Sequence, residues 1–297
     1  VCPPDAATRN PGTRHREFTS QGWLFVGNET QHPIGIFDSG VGGLTVTRAV
    51  MELLPHERIV YFGDTARVPY GVKSPGTISR YASEIVRFLL EKDVKLLIVA
   101  CNTMAAVALP AITALSPVPV LEVIDAGAKS ALAATRTGRI GIIATPSTVH
   151  SGAYPAAIAR RGGDAALTVS RACPLFVPLA EEGFLNHPAT RLIAREYLAP
   201  VLAENPDTLI LGCTHYPLLR PLLQDVAGPG VTLVDSATAV AADAARVLAE
   251  TGLLTAPGEA RPAHAFFVTD APDRLRGIGE LFLGRPLPDV HLVSLGC

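Results

Sequence analysis

From residue 33 onward, short apolar runs alternate with segments that repeat apolar residues at helical spacing. The runs are Ile34–Phe37, Arg58–Phe62, Lys95–Ala100, Val118–Glu122, Arg139–Ile143, Leu167–Val169, Thr208–Leu211, Thr232–Val234 and Ala265–Val268. Most are apolar throughout and rich in Val and Ile, the pattern of strands buried on both faces of a parallel sheet. Ser74–Lys92, Ala189–Ala203 and Ser236–Glu250 carry the helical period between them. The alternation predicts an α/β fold with mainly parallel sheets.

Two of these runs resemble each other. LLIVACNTM (96–104) and TLILGCTHY (208–216) align without gaps: an apolar run, a small residue, a cysteine, then polar groups. Each cysteine falls just past a strand's carboxyl end, the edge where open α/β sheets bind ligands. Cys101 and Cys213 are separated by about the length of a small domain. The spacing predicts two similar α/β domains, each presenting a cysteine into the cleft between them.

Composition narrows the picture. The 297 residues are 48% hydrophobic and 18% charged, with a formal net charge of −2. That suits a globular chain with a large core and gives no sign of a nucleic-acid or membrane-surface binder. No apolar stretch approaches the roughly 20 residues of a spanning helix. The first 30 residues hold one short apolar run, Trp23–Val26, below the about 7–15 residues of a secretory core. Residues 1–31 are expected to be a loosely ordered extension. The odd set of cysteines (Cys2, Cys101, Cys173, Cys213, Cys297) contains no Cys-x-x-Cys. Reduced thiols and a cytoplasmic location are expected, rather than a disulfide framework or a zinc ribbon.

Candidate chemistry sits after three strands. The glycine-rich turn Gly35-Ile-Phe-Asp-Ser-Gly-Val-Gly-Gly-Leu-Thr45 lacks the lysine of a phosphate loop and the third small residue of a dinucleotide loop. Asp64, about 20 residues downstream, keeps the dinucleotide reading open. A small-anion site, with Asp38 and Ser39 at its mouth, fits better, and Asp38 as a helix cap is a further reading. Asn102 and Thr103 follow Cys101 and can cap a helix or hold a carboxylate; free backbone donors there are expected to lower the thiol pKa. His215, two residues beyond Cys213, can act as its proton partner. A cysteine hydrolase, a metal site and a two-lobed binding protein for a small acid remain open at this point.

Five blocks carry a family resemblance: PIGIFDSGVGGLTV (33–46), YFGDTARVPYG (61–71), VACNTMAA (99–106), CPLFVPLAEEG (173–183) and LGCTHYPLL (211–219). In this order they resemble the glutamate racemases of the aspartate/glutamate racemase superfamily, from about Pro33 to the end. One local departure is Asp125-Ala126, where Glu-Pro is expected; its effect is expected on a helix start. The resemblance implies a discontinuous first domain (32–124 plus 236–297) and a second domain (125–235), with the active site between them. It implies cofactor-independent, metal-free interconversion of L- and D-glutamate, with D-glutamate supplied to peptidoglycan, and a homodimer. It carries the two proton transfers to Cys101, which deprotonates D-glutamate, and Cys213, which deprotonates L-glutamate. Asp38 supports the first, and His215 the second together with Glu181, for which the adjacent Glu182 is the alternative. Asp38, Ser39, Tyr70, Gly71, Asn102, Thr103, Thr214 and His215 are the implied substrate contacts. A racemase acting on aspartate is the nearest alternative within the superfamily.

Overall fold

The structure is a computed structural model that describes residues 16–19, 22–25, 29–163, 166–258, 262–287 and 289–295. Most of the predicted N-terminal extension, with Cys2 and Cys297, lies outside the described residues. Within it, β1 (Arg16–Thr19) pairs antiparallel with β2 (Gly22–Phe25).

The other strands are β3 (Ile34–Asp38), β4 (Ile59–Gly63), β5 (Leu96–Val99), β6 (Val120–Glu122), β7 (Arg139–Ala144), β8 (Leu167–Ala172), β9 (Thr208–Gly212), β10 (Thr232–Val234), β11 (Ala265–Val268) and β12 (Val290–Leu292). The α-helices are α1 (Leu44–Leu53), α2 (Pro75–Leu90), α3 (Asn102–Leu115), α4 (Val123–Ala134), α5 (Pro146–His150), α6 (Ala153–Arg160), α7 (Phe176–Glu181), α8 (Pro188–Leu202), α9 (Arg220–Ala227), α10 (Ala237–Glu250) and α11 (Pro272–Leu283). The strands β3 to β12 form two sheets, one of six strands in the order β12-β11-β4-β3-β5-β6 and one of four in the order β10-β9-β7-β8. Every pairing in both is parallel. β3, β4, β5 and β9 are buried at every residue, which is why each reads as a continuous apolar run.

The two sheets share a topology. In the first, β4-β3-β5-β6 places the second strand on one side of the first and the third and fourth on the other. In the second, β8-β7-β9-β10 repeats the arrangement. The chain therefore reverses its winding direction between β3 and β5 and again between β7 and β9. At such reversals the loops diverge and leave a crevice at the strand carboxyl ends. Asp38 and Cys101 occupy the first crevice; Thr145 and Cys213 occupy the second.

Helices α4 and α10 pack on each other, and Lys129 Nζ lies 2.6 Å from Asp243 Oδ1 between them. α4 begins at Val123, where the Glu122 side chain accepts from the Ile124 and Asp125 backbones. One core cluster joins both sheets, bringing Ile140, Ile142 and Ile210 together with Ile34, Ile98 and Val240. The second core lies beneath α8, α9 and the turn after β9. β12 was not anticipated from the sequence: it spans three residues, and only Val290 is buried.

A buried ion pair ties down the amino end of the six-stranded sheet. Lys95 Nζ lies 2.6 Å from Glu57 Oε2, with both side chains 1% exposed. The same ammonium donates to the carbonyls of Thr30 and Leu253. Removing one partner leaves an uncompensated buried charge. Lys95→Met is therefore expected to lower the unfolding free energy by about 3–5 kcal/mol, read by urea denaturation.

Candidate active site

The glycine turn after β3 folds back on its own acid. Backbone N–H groups of Ser39, Gly40 and Gly43 are directed at the buried Asp38 carboxylate, that of Gly40 at 3.0 Å. The anion held by this turn is Asp38 itself, so these donors do not form a phosphate cradle. Burial raises the Asp38 pKa above the ordinary carboxylate value, against the lowering influence of His215 and the three amides.

Cys101 is buried and is the N-cap residue of α3. Its Sγ lies 3.5 Å from Ser39 Oγ. Burial, then the charge of Asp38, push the thiol up to about 12, more than the donors of Ser39 and Met104 can offset. This corrects the expectation of a lowered pKa: those donors are present, but desolvation and a neighbouring anion outweigh them. Next to it, Asn102 Oδ1 accepts from Tyr154 at 2.7 Å. Its Nδ2 is buried without a hydrogen-bond partner. That amide is a donor available to a ligand oxygen.

Thr103 Oγ1 lies 3.0 Å from Thr145 Oγ1, which lies 3.0 Å from Thr148 Oγ1. Sequence reasoning missed Thr145. A signal was present: Ile-Gly-Ile occurs at 34–36 and again at 140–142, so Ser39 and Thr145 follow the same motif at the same distance.

The second cysteine has a different setting. Cys213 Sγ lies 3.9 Å from His215 Nδ1, and His215 Nε2 lies 2.9 Å from Glu181 Oε1. Burial disfavours the imidazolium, but the hydrogen bonds and charges of Cys213 and Glu181 prevail and raise His215 to about 10. Burial opposes ionisation of Glu181 as well, yet His215 and Arg274 bring its pKa below the ordinary value. Glu182, the alternative carboxylate, is exposed. Tyr70 is buried, and its hydroxyl donates to Asp64, which also receives Arg67 Nε at 2.7 Å and Thr269 Oγ1 at 2.9 Å. Asp64 thus anchors the wall that carries Tyr70 and Gly71.

These groups converge. Asp38, Ser39, Tyr70, Gly71, Cys101, Asn102, Thr103, Glu181, Cys213, Thr214 and His215 all line one cavity of about 370 Å³, joined by Thr145. Its remaining wall is apolar, from Val68, Pro69, Val72, Pro146, Pro174, Val177 and Pro178. Close approach of the two lobes depends on Gly42: a Cβ there would lie 2.2 Å from Thr214 Oγ1 and 2.5 Å from His215 Nδ1. Among the described residues no group of three His, Cys, Asp or Glu side chains is placed to hold a metal ion. Among them, too, no helix is long and apolar enough to cross a membrane.

Residues 34–244 match the sequence profile of the Asp/Glu/hydantoin racemases. The chain belongs to that family. Among similar members, the glutamate racemase of Syntrophus aciditrophicus is 62% identical over 264 residues, covering 89% of this chain and 97% of its own. Two solved racemases share the fold. That of Francisella tularensis, in complex with D-glutamate, has a TM-score of 0.82 and 38% identity, covering 89% of this chain and 98% of its own. That of Thermus thermophilus, in complex with beta-chloro-D-alanine, has a TM-score of 0.80 and 45% identity, covering 90% and 98%. As a member of this racemase family, the protein has two α/β domains with the cavity in the cleft between them.

Cys173 stands apart in this racemase site. It is buried, Pro174 rather than Cys173 reaches the cavity, and its carbonyl accepts from Tyr216 at 2.8 Å. The close contact at Gly42 yields a test. Gly42→Ala forces Thr214 and His215 to shift, and displacement of about 1 Å can cost about a hundredfold in rate. The expected result is a loss of that order in kcat/KM, with a circular dichroism spectrum like that of the parent protein.

Proposed function

We propose that the protein interconverts L- and D-glutamate without a cofactor, using Cys101 and Cys213 as opposed acid and base. One observation carries this reading: two cysteines from topologically equivalent strand ends line one cavity, each with a different ionisable partner. Inverting a Cα centre removes a proton from one face and returns one to the other. Two fixed groups do this without the intermediate turning over.

With L-glutamate bound, Cys213 takes the Cα proton while the His215 imidazolium stabilises its thiolate form. Cys101, held as a thiol by burial and by Asp38, delivers its own proton to the opposite face. D-glutamate runs the sequence backwards, with Cys101 as base. The charge that develops on the substrate needs donors already in place. Ser39, Asn102, Thr103, Thr145 and Thr214 line the cavity and supply them; removing one such donor typically costs about 2.7–4 kcal/mol. The glutamate carbon skeleton is the substrate of the similar racemases and suits a cavity of about 370 Å³.

The same proposal assigns residues 32–124 plus 236–297 to one domain and 125–235 to the other. It also takes the protein to be a cytoplasmic homodimer whose D-glutamate enters peptidoglycan.

Circular dichroism of a glutamate solution tests the reading. The parent protein is expected to abolish the signal of either enantiomer without added cofactor. Cys101→Ser and Cys213→Ser are each expected to lower turnover by about 10²–10⁴-fold, since each removes one proton-transfer group. Cys173→Ser is expected to retain activity; its loss with the fold intact would overturn the assignment of only two working thiols. Because His215 is raised from its ordinary value to about 10, its imidazolium persists through neutral pH. On this reading kcat/KM, corrected for titration of the substrate amine, falls as pH rises through about 10. A rate still rising there contradicts the role given to His215.

A further inference from the structure

We propose that Arg274 is a positioning residue for the Cys213 side of the site, holding the Glu181 carboxylate aimed at His215. The proposal rests on the reading of His215 as the proton partner of Cys213. The two oxygens of the Glu181 carboxylate are divided between two cations: Oε1 lies 2.9 Å from His215 Nε2, and Oε2 lies 3.3 Å from Arg274. Arg274 comes from the first turn of α11, where the helix's own unsatisfied N–H groups disfavour a cation. Its side chain, 58% exposed, nevertheless turns toward the less exposed carboxylate.

α11 makes a second contact with the same pair. Phe282 presents its ring to His215 at 5.1 Å and 78° between planes. Arg274 and Phe282 both belong to α11, so this one helix touches both Glu181 and His215. α11 follows β11 of the six-stranded sheet, whereas Glu181 and His215 lie in the chain segment of the four-stranded sheet. The contact therefore joins the chain segments of the two sheets at the proton partner of Cys213.

The two thiols differ in exactly this support. Asp38 is fixed by donors of its own turn. Glu181 ends a helix of six residues, and its side-chain contacts are with His215 and Arg274. Around it, Cys213 stands behind His215, and Asp38 acts on His215 from the end of β3. Glu182 is exposed, and Asp273 at the start of α11 is paired with Arg276.

The test uses Arg274→Met, Arg274→Gln and Arg274→Lys in the whole protein. The two enantiomers have equal free energies, so any change in kcat/KM must be equal in both directions. The neutral variants are expected to lose about ten- to a hundredfold in kcat/KM. The acidic limb of their pH profile, where Glu181 takes a proton, is expected to move up by about half a unit to one unit. Arg274→Lys restores both. A parent-like acidic limb and kcat/KM in the neutral variants overturns the proposal, as does a defect explained entirely by a lowered thermal midpoint. Carboxyl-carbon NMR of Glu181 reads the pairing separately from turnover. Its titration midpoint rises in Arg274→Met if the positioning is correct, whether or not the protein turns over. A parent protein that racemises neither enantiomer defeats the functional reading alone.

Discussion

A thiol buried beside a carboxylate resists ionisation, and a thiol beside an imidazolium accepts it. Cys101 is in the first setting, and Cys213 Sγ has an imidazole nitrogen at 3.9 Å. Cys101 is desolvated and faces Asp38, whose charge further opposes a thiolate. Cys213 faces His215, whose pKa is raised against burial by Cys213 and by Glu181 on its other nitrogen. Two-base inversion, as proposed, needs one thiol protonated while the other is not, with the arrangement reversed for the opposite enantiomer.

The fold produces the asymmetry by repeating a topology and varying the residues at its crevices. β3 and β7 are each flanked by their second and third strands, so both sheets open at equivalent places. The first crevice carries an acid whose charge is gathered by its own turn. The second carries Thr145, with the cysteine's partner supplied from the next turn and from α7. Gly42 then lets the first crevice approach the second closely. The apolar remainder of the wall lowers the local dielectric and strengthens each of these electrostatic contacts.

Much of this was legible in the chain. The buried strands announced themselves as Val- and Ile-rich runs, and the matched cysteine segments pointed to the two strand ends. All eleven candidate site residues line the cavity, and the side-chain contact of Glu181 distinguishes it from exposed Glu182. Other features depended on tertiary neighbours. The direction of the Cys101 shift turned on the balance of burial and Asp38 against local donors. Arg274 lies far from Glu181 in sequence, and no local pattern marks it. β12 was too short and too exposed to stand out as an apolar run. Thr145 was overlooked although the repeated Ile-Gly-Ile marked its strand.

The two-thiol account is tested most directly by the fate of the Cα proton. L-glutamate is incubated in deuterium oxide, and both enantiomers are separated at low conversion and weighed by mass spectrometry. If opposed thiols perform the transfer, the D-glutamate formed carries solvent deuterium at Cα from the first turnovers, while unreacted L-glutamate keeps its proton. D-glutamate that retains the substrate's own proton, or equal deuterium in recovered L-glutamate from the outset, would contradict it.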